Sequence, residues 1–87
     1  MVDVKAGKVL QLKKIVTEED LSPQIDGLSA QFTLADTFYT GSVKVYLNGL
    51  RQQRGMGNDF IEIAPDKIEF SYTPEIDDIL LVDYIKI

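Results

Sequence analysis

Hydrophobic and polar residues alternate along much of this chain with the two-residue period of β-strands. In the segment 42–48, Val43, Val45 and Leu47 fall on one face, and Lys44 and Tyr46 fall on the other. Comparable patterns mark further short segments: 8–16, 30–34, 50–53, 60–64, 67–72 and 78–87. The segment 8–16 is also compatible with a short helix, but the chain as a whole lacks a convincing amphipathic helix.

Turn residues separate these segments at close spacing. Asn48-Gly49 is the strongest short-range signal for a hairpin, because both residues accept the positive φ that a two-residue turn requires. Pro65-Asp66 predicts a second tight turn, and the acidic run 18–20 predicts a break after the first strand. The sequence therefore predicts an all-β fold, a small antiparallel β-sandwich or partly open barrel of about six or seven short strands.

The last predicted strand, 78–87, is apolar on both faces. One face carries Ile79, Leu81, Ile85 and Ile87, and the other carries Leu80, Val82 and Tyr84. A strand of this kind is central in its sheet, or one of its faces is covered by a partner. Both explanations remain open at this point.

Composition narrows the classes of function. The 87 residues are 45% hydrophobic and 26% charged, as expected for a single folded domain spanning 1–87. The chain contains neither cysteine nor histidine, which excludes disulfides, thiolate nucleophiles and Cys/His zinc sites. Its serines have no histidine to activate them, and the acidic turns match no calcium-loop pattern. We therefore expect no enzymatic activity, no cofactor and no metal.

Charge is distributed unevenly along the chain. The net charge is −5, which disfavours nucleic acid as a partner, and no apolar run approaches the length needed for membrane insertion. Residues 1–17 carry four Lys and one Asp, whereas 18–87 carry five basic and thirteen acidic residues. The segment 1–17 is thus a basic N-terminal strand or arm. It packs on the acidic body of its own molecule or docks on a neighbouring copy.

From about Glu18 to Ile87, the order of features resembles a small β-sandwich module found in tail fibres, tail tips and virion appendages of tailed bacteriophages. The most specific combination is Val45-Tyr46-Leu47-Asn48-Gly49, then Asn58-Asp59-Phe60, then the terminal run 78–84. Further matching pieces are Ile25-Asp26-Gly27, Gln31-Phe32-Thr33-Leu34, Gly41-Ser42-Val43 and Ile68-Glu69-Phe70.

This resemblance implies a non-enzymatic structural or assembly protein of a virion, made in the host cytoplasm. The expected partners are further copies of the chain, forming a homo-oligomer, or other virion proteins of the tail, collar or head. The resemblance also leaves open a module that binds a host surface glycan or receptor. A third class, a regulatory protein directed at a host enzyme, is compatible with the composition.

The candidate contact residues lie in three segments: the basic N-terminus, the loop 51–59 and the last strand. They are Lys13, Lys14, Arg51, Gln53, Arg54, Met56, Leu80, Val82 and Tyr84. Arg is enriched at interface hot spots and Met adapts to apolar pockets. The loop has a purely structural interpretation as well, in which its glycines supply positive-φ corners and Asp59 bonds local backbone amides. If the chain binds glycans, we expect the loop Arg51–Asp59 to do so.

Overall fold

The computed structural model describes residues 14–87. The predicted segment 8–16 therefore lies largely outside the described residues, and so does the candidate contact residue Lys13. Between residues 14 and 87 there is no α-helix, only one short 3₁₀ turn at Ser22–Gln24. The strands are β1 (Lys14–Asp20), β2 (Gln31–Thr33), β3 (Lys44–Leu47), β4 (Leu50–Gln52), β5 (Phe60–Ala64), β6 (Lys67–Phe70) and β7 (Leu80–Lys86).

The strands form two antiparallel sheets. One has four strands in the order β1-β7-β3-β4, and the other has three in the order β2-β6-β5. This confirms the predicted all-β class, and the two separate sheets make the fold a small β-sandwich. The last strand, β7, lies between β1 and β3 and is therefore central in its sheet.

The core lies between the two sheets. From the four-stranded sheet, the inward side chains are Val45, Leu80, Val82 and Tyr84, joined by Val43 just before β3. From the three-stranded sheet they are Phe32, Phe60, Ile68 and Phe70. Leu21, Leu34 and Phe38 close the core from the connecting segments. Each such side chain stabilises the fold by about 1.5–3 kcal/mol relative to exposure in water.

The two predicted tight turns form as expected. Leu47 pairs with Leu50, so Asn48 and Gly49 are the two residues of the β3–β4 turn, with φ of 53° and 83°. The Asn48 side chain also donates to Asp78 and accepts the Ile79 N–H, at 3.0 and 2.9 Å. Ala64 pairs with Lys67, which places Pro65 and Asp66 in the β5–β6 turn.

The acidic run 18–20 does not break the first strand, contrary to the prediction. It belongs to β1, whose register against β7 shifts between Val16 and Glu19. At this bulge Glu18 has φ of 55°, and its N–H donates to an Asp83 carboxylate oxygen at 2.8 Å. Three acidic residues remain in a strand because the bulge turns Glu19 inward, where it accepts hydrogen bonds from the Tyr84 hydroxyl and the Ala35 N–H.

Candidate interaction surface

The strand register creates one continuous row of side chains across the face of the four-stranded sheet that points away from the core. Arg51 on β4 lies opposite Tyr46 on β3. Tyr46 lies opposite Leu81 on β7, and Leu81 lies opposite Asp20 on β1. We call this side of the sheet the outer face. Its central row has an apolar middle, a cation at one end and an anion at the other.

Two parallel rows complete the outer face. In one, Lys44 on β3 lies opposite Asp83 on β7. In the next, Ile85 on β7 lies opposite Ile15 on β1, and the Ile85 N–H donates to the Ser42 hydroxyl at 3.2 Å. Ile79, just before β7, extends the face on the opposite side of the central row, because its backbone bonds Asn48. The outer face therefore presents Ile15, Tyr46, Ile79, Leu81 and Ile85.

These apolar side chains remain accessible in the monomer. Ile15 is 73% exposed and Ile79 is 55% exposed, while Tyr46, Leu81 and Ile85 are half-buried by their neighbours on the sheet. Singly exposed apolar residues are ordinary on protein surfaces, whereas apolar patches rimmed by polar residues favour an interaction site. On the outer face, the Lys44–Asp83 row separates Tyr46 and Leu81 from Ile15 and Ile85. A shallow depression of about 330 Å³ lies over this face between Glu18, Tyr46 and Leu81.

The charges on the outer face are segregated by strand. The cations Arg51 and Lys44 lie on β4 and β3, whereas the anions Asp20 and Asp83 lie on β1 and β7. Asp20 is held as a carboxylate, because hydrogen bonds from the Ser22 side chain and backbone lower its pKa. One half of the face is thus positive and the other half negative.

The solvent-facing side of the three-stranded sheet is more polar than the outer face of the four-stranded sheet. Its central row is Gln31, Glu69 and Ile61, and the Gln31 amide donates to the Glu69 carboxylate at 3.2 Å. The adjacent row pairs the exposed residues Thr33 and Lys67. Polar side chains on this side of the three-stranded sheet hydrogen-bond one another and remain solvated. The three-stranded sheet therefore offers a partner less apolar surface than the outer face of the four-stranded sheet.

The free edge of β2 is closed by side chains of the chain itself. The Gln24 amide donates to the Thr33 carbonyl at 2.7 Å and accepts the Thr33 N–H at 2.9 Å. The Ser29 hydroxyl does the same for Gln31, at 3.2 Å in both directions. Unpaired strand edges invite pairing with other chains. A partner strand therefore has no open backbone groups to bind along β2.

Side chains of the β4–β5 loop are used largely to hold the loop itself. The Arg54 guanidinium donates to the Gly41 carbonyl at 2.6 Å, and the Asn58 amide donates to the Arg54 carbonyl at 3.1 Å. The Asp59 carboxylate accepts the Gln53 N–H at 2.7 Å. Met56 is 86% exposed at the tip. These bonds favour the structural interpretation of the loop, and they leave Arg51, the Gln53 side chain and Met56 facing solvent.

The structure corrects part of the predicted contact set. Leu80, Val82 and Tyr84 are at most 1% exposed, so they pack in the core and do not present their side chains to a partner. The other face of β7 is the accessible one, with Leu81 and Ile85. Among the other predicted residues, Lys14 is exposed at the start of β1, where it lies opposite Lys86.

Sequence reasoning missed eight residues of the outer face as contact candidates: Ile15, Asp20, Lys44, Tyr46, Ile79, Leu81, Asp83 and Ile85. The signal was present, because alternation separates the two faces of 78–87 and places Tyr46 with Lys44. Alternation does not say which of two apolar faces turns inward, and it does not say which strands become neighbours. That information comes only from the pairing of β7 between β1 and β3.

The fold and this surface define a small antiparallel β-sandwich with one apolar, charge-segregated sheet face. No protein-family model matches the chain, and no curated protein matches it either. Among residues 14–87, no helix is long and apolar enough to cross a membrane, and no group of three or more acidic side chains is placed to hold a metal ion.

Proposed function

We propose that this chain is a non-enzymatic structural protein that works by protein–protein contact through the outer face of its four-stranded sheet. The observation that carries the proposal is the set of accessible apolar side chains on the outer face. Tyr46 and Leu81 lie in the central row, and Ile79, Ile15 and Ile85 lie in the rows on either side. Covering this surface with a partner removes apolar area from water, at about 25 cal/mol per Å².

The architecture supports a contact through a sheet face. The edge of β2 is closed by Gln24 and Ser29, and the edge strand β1 carries a bulge at Glu18 that twists it away from regular pairing. A partner therefore gains more by covering the outer face than by adding a strand to these edges.

The biological setting we propose is a bacteriophage virion, in a tail, collar or head appendage. This part of the proposal rests on the resemblance of 18–87 to β-sandwich modules of tailed phages. Such a protein acts by symmetric self-association or by docking to another virion protein. The glycan-binding alternative gains no support from the β4–β5 loop, because Arg54, Asn58 and Asp59 bond within the chain.

Light-scattering mass over a dilution series tests the use of the outer face. We expect the average mass of the wild type to rise above the monomer mass of 9.8 kDa with concentration, and that of Ile15→Lys to stay closer to the monomer mass. Leu28→Lys is the matched control, because Leu28 is 87% exposed in the loop before β2 and the charge change is the same. Equal effects of the two substitutions would count against a specific role for the outer face.

Density-gradient fractionation tests the virion setting. A lysate of the strain that encodes the chain is separated, and an antibody against the chain is used to probe the particle band. We expect the chain to comigrate with particles and to remain with them after a salt wash. If the chain is found only in the soluble fractions, the virion assignment is refuted. The use of the outer face is then tested by the light-scattering experiment alone.

A further inference from the structure

We infer that the partner of the outer face is a second copy of this chain, related by a twofold axis that runs parallel to the strands between β3 and β7. This inference rests on the proposed use of the outer face and specifies its occupant. It follows from the positions of the charged, apolar and small residues on the four strands.

The central row is self-complementary under this rotation. Arg51 and Asp20 occupy the two outer strands, each about 7 Å from the midline between β3 and β7, since neighbouring strands lie about 4.8 Å apart. Rotation by half a turn exchanges the two sides of the face and keeps the height along the strands. Arg51 of one copy then faces Asp20 of the other, and the reciprocal pair forms by symmetry.

The remaining positions of the two central strands obey the same relation. Tyr46 faces Leu81 of the second copy, which brings together the apolar middle of the two faces. In the next row, Lys44 faces Asp83. All four cation–anion contacts in the two rows are attractive, because in these rows the cations Arg51 and Lys44 lie on β4 and β3 and the anions Asp20 and Asp83 lie on β1 and β7.

The third row is complementary in shape. Ile85 of one copy faces Ser42 of the other, since these residues are neighbours across the midline. A depression of about 410 Å³ lies at this end of the face, lined in part by Gly41 and Ser42. The small residues on the β3 side therefore leave room for the isoleucines that the rotation brings from the β7 and β1 side.

Charge excludes the other simple arrangement of two such faces. A twofold axis perpendicular to the strands keeps each strand on its own side of the face. Arg51 and Lys44 would then face the cationic half of the second copy, and Asp20 and Asp83 would face the anionic half. Like charges placed opposite each other disfavour an association, so this arrangement is suppressed.

The size of the face indicates a reversible dimer. Four strands of up to seven residues cover roughly 19 by 24 Å, or about 450 Å² of projected area per copy, below the roughly 800 Å² that a standard interface buries on each partner. We therefore expect a concentration-dependent monomer–dimer equilibrium with fast exchange.

Complementary charge reversal tests this geometry. Arg51→Glu alone places two like-charge contacts in a homodimer, and so does Asp20→Arg alone. In a mixed dimer of the two variants both contacts are attractive again. Arg51→Glu changes the net charge from −5 to −7 and Asp20→Arg changes it to −3, so both proteins stay negative and general attraction between them does not explain mixed pairing.

Sedimentation velocity at low salt gives the readout. We expect each single variant to dimerise about 10-fold more weakly than the wild type or worse, and the equimolar mixture to recover most of the wild-type affinity. Lys67→Glu is the matched control for Arg51→Glu, because Lys67 is exposed on the other sheet, and it should dimerise like the wild type.

A second pair of variants guards against loss of folding. Asp20 accepts the Ser22 N–H at 2.9 Å, so Asp20→Arg is checked by circular dichroism. Lys44→Glu mixed with Asp83→Lys repeats the experiment at the adjacent row. Asp83→Lys is also checked by circular dichroism, because the Asp83 carboxylate accepts the Glu18 N–H at 2.8 Å. If the variants are folded but mixing restores the dimerisation affinity in neither pair, the twofold geometry is wrong, and the use of the outer face stands. A wild type that stays monomeric at all concentrations overturns the second copy as the partner of the outer face.

Discussion

The hydroxyl of Tyr84 offers a sharp test of how the bulged strand β1 is attached to the core. The ring is 1% exposed and packs edge-on against Phe38 at 6.2 Å between centroids. Its hydroxyl donates to the Glu19 carboxylate, which also accepts the Ala35 N–H at 2.8 Å. Tyr84→Phe keeps the packing and removes only this donor, so it isolates the hydrogen bond.

The expected loss follows from the partner's charge. A hydrogen bond to a charged group contributes about 1.5–3 kcal/mol. Glu19 is only half-buried and keeps the Ala35 N–H, so we expect a value at the lower end, about 2 kcal/mol. For a domain of this size that corresponds to a fall of about 8–16 °C in Tm.

Urea unfolding at neutral pH measures this loss. The m value should stay unchanged, because the surface exposed on unfolding is the same. Tyr39→Phe is the matched control at an exposed tyrosine and should change the unfolding free energy by less than about 0.5 kcal/mol. A Tyr84→Phe variant as stable as this control would refute the view that Glu19 fixes β1 through Tyr84. In that case, a double-mutant cycle of Glu19→Gln and Tyr84→Phe should also show no coupling in the unfolding free energy.

Three further predictions concern turns and titration. Gly49→Ala should lower the unfolding free energy by about 1–2 kcal/mol in urea titrations, because a residue with a Cβ is strained at the φ of 83° that Gly49 has. No atom lies within 4 Å of the added Cβ, so the loss comes from the backbone alone. An unchanged unfolding free energy would mean that the turn tolerates a side chain. Burial, followed by the Glu19 contact, raises the pKa of Tyr84, so the neutral hydroxyl is favoured in the fold. The contribution of this neutral hydroxyl should be fully present below about pH 10 and fall above it, and thermal melts between pH 8 and 11 should show a weaker decline for Tyr84→Phe. Backbone hydrogen bonds from Ser29 and Leu28 lower the pKa of Asp26, so its contribution is present above about pH 4 and is lost as pH falls further. Acid titrations should therefore be shallower for Asp26→Asn, and an equal slope would contradict the role of these bonds.

Local patterns were sufficient wherever a segment's conformation depends on its own residues. Asn48-Gly49 specified a two-residue turn because few residue pairs accept positive φ twice, and the structure has φ of 53° and 83° there. The segment 60–64 was predicted with the bounds that β5 has, between the loop glycines and Pro65-Asp66. By contrast, the acidic run 18–20 was predicted to break the first strand, and this was wrong. The bulge that keeps the run in β1 is held by the hydrogen bond from the Glu18 N–H to Asp83, 65 residues away, which no local pattern reveals.

The sequence by itself determined the all-β class, the turns and the existence of a last strand that is apolar on both sides. Only the tertiary structure decided that Leu80, Val82 and Tyr84 turn inward and that Leu81 and Ile85 turn outward. The reason is that alternation defines two faces but assigns neither to the core until the second sheet covers one of them. The segregation of cations and anions across the outer face likewise depends on strand order, because residues far apart in the chain become neighbours only when β7 pairs with both β1 and β3.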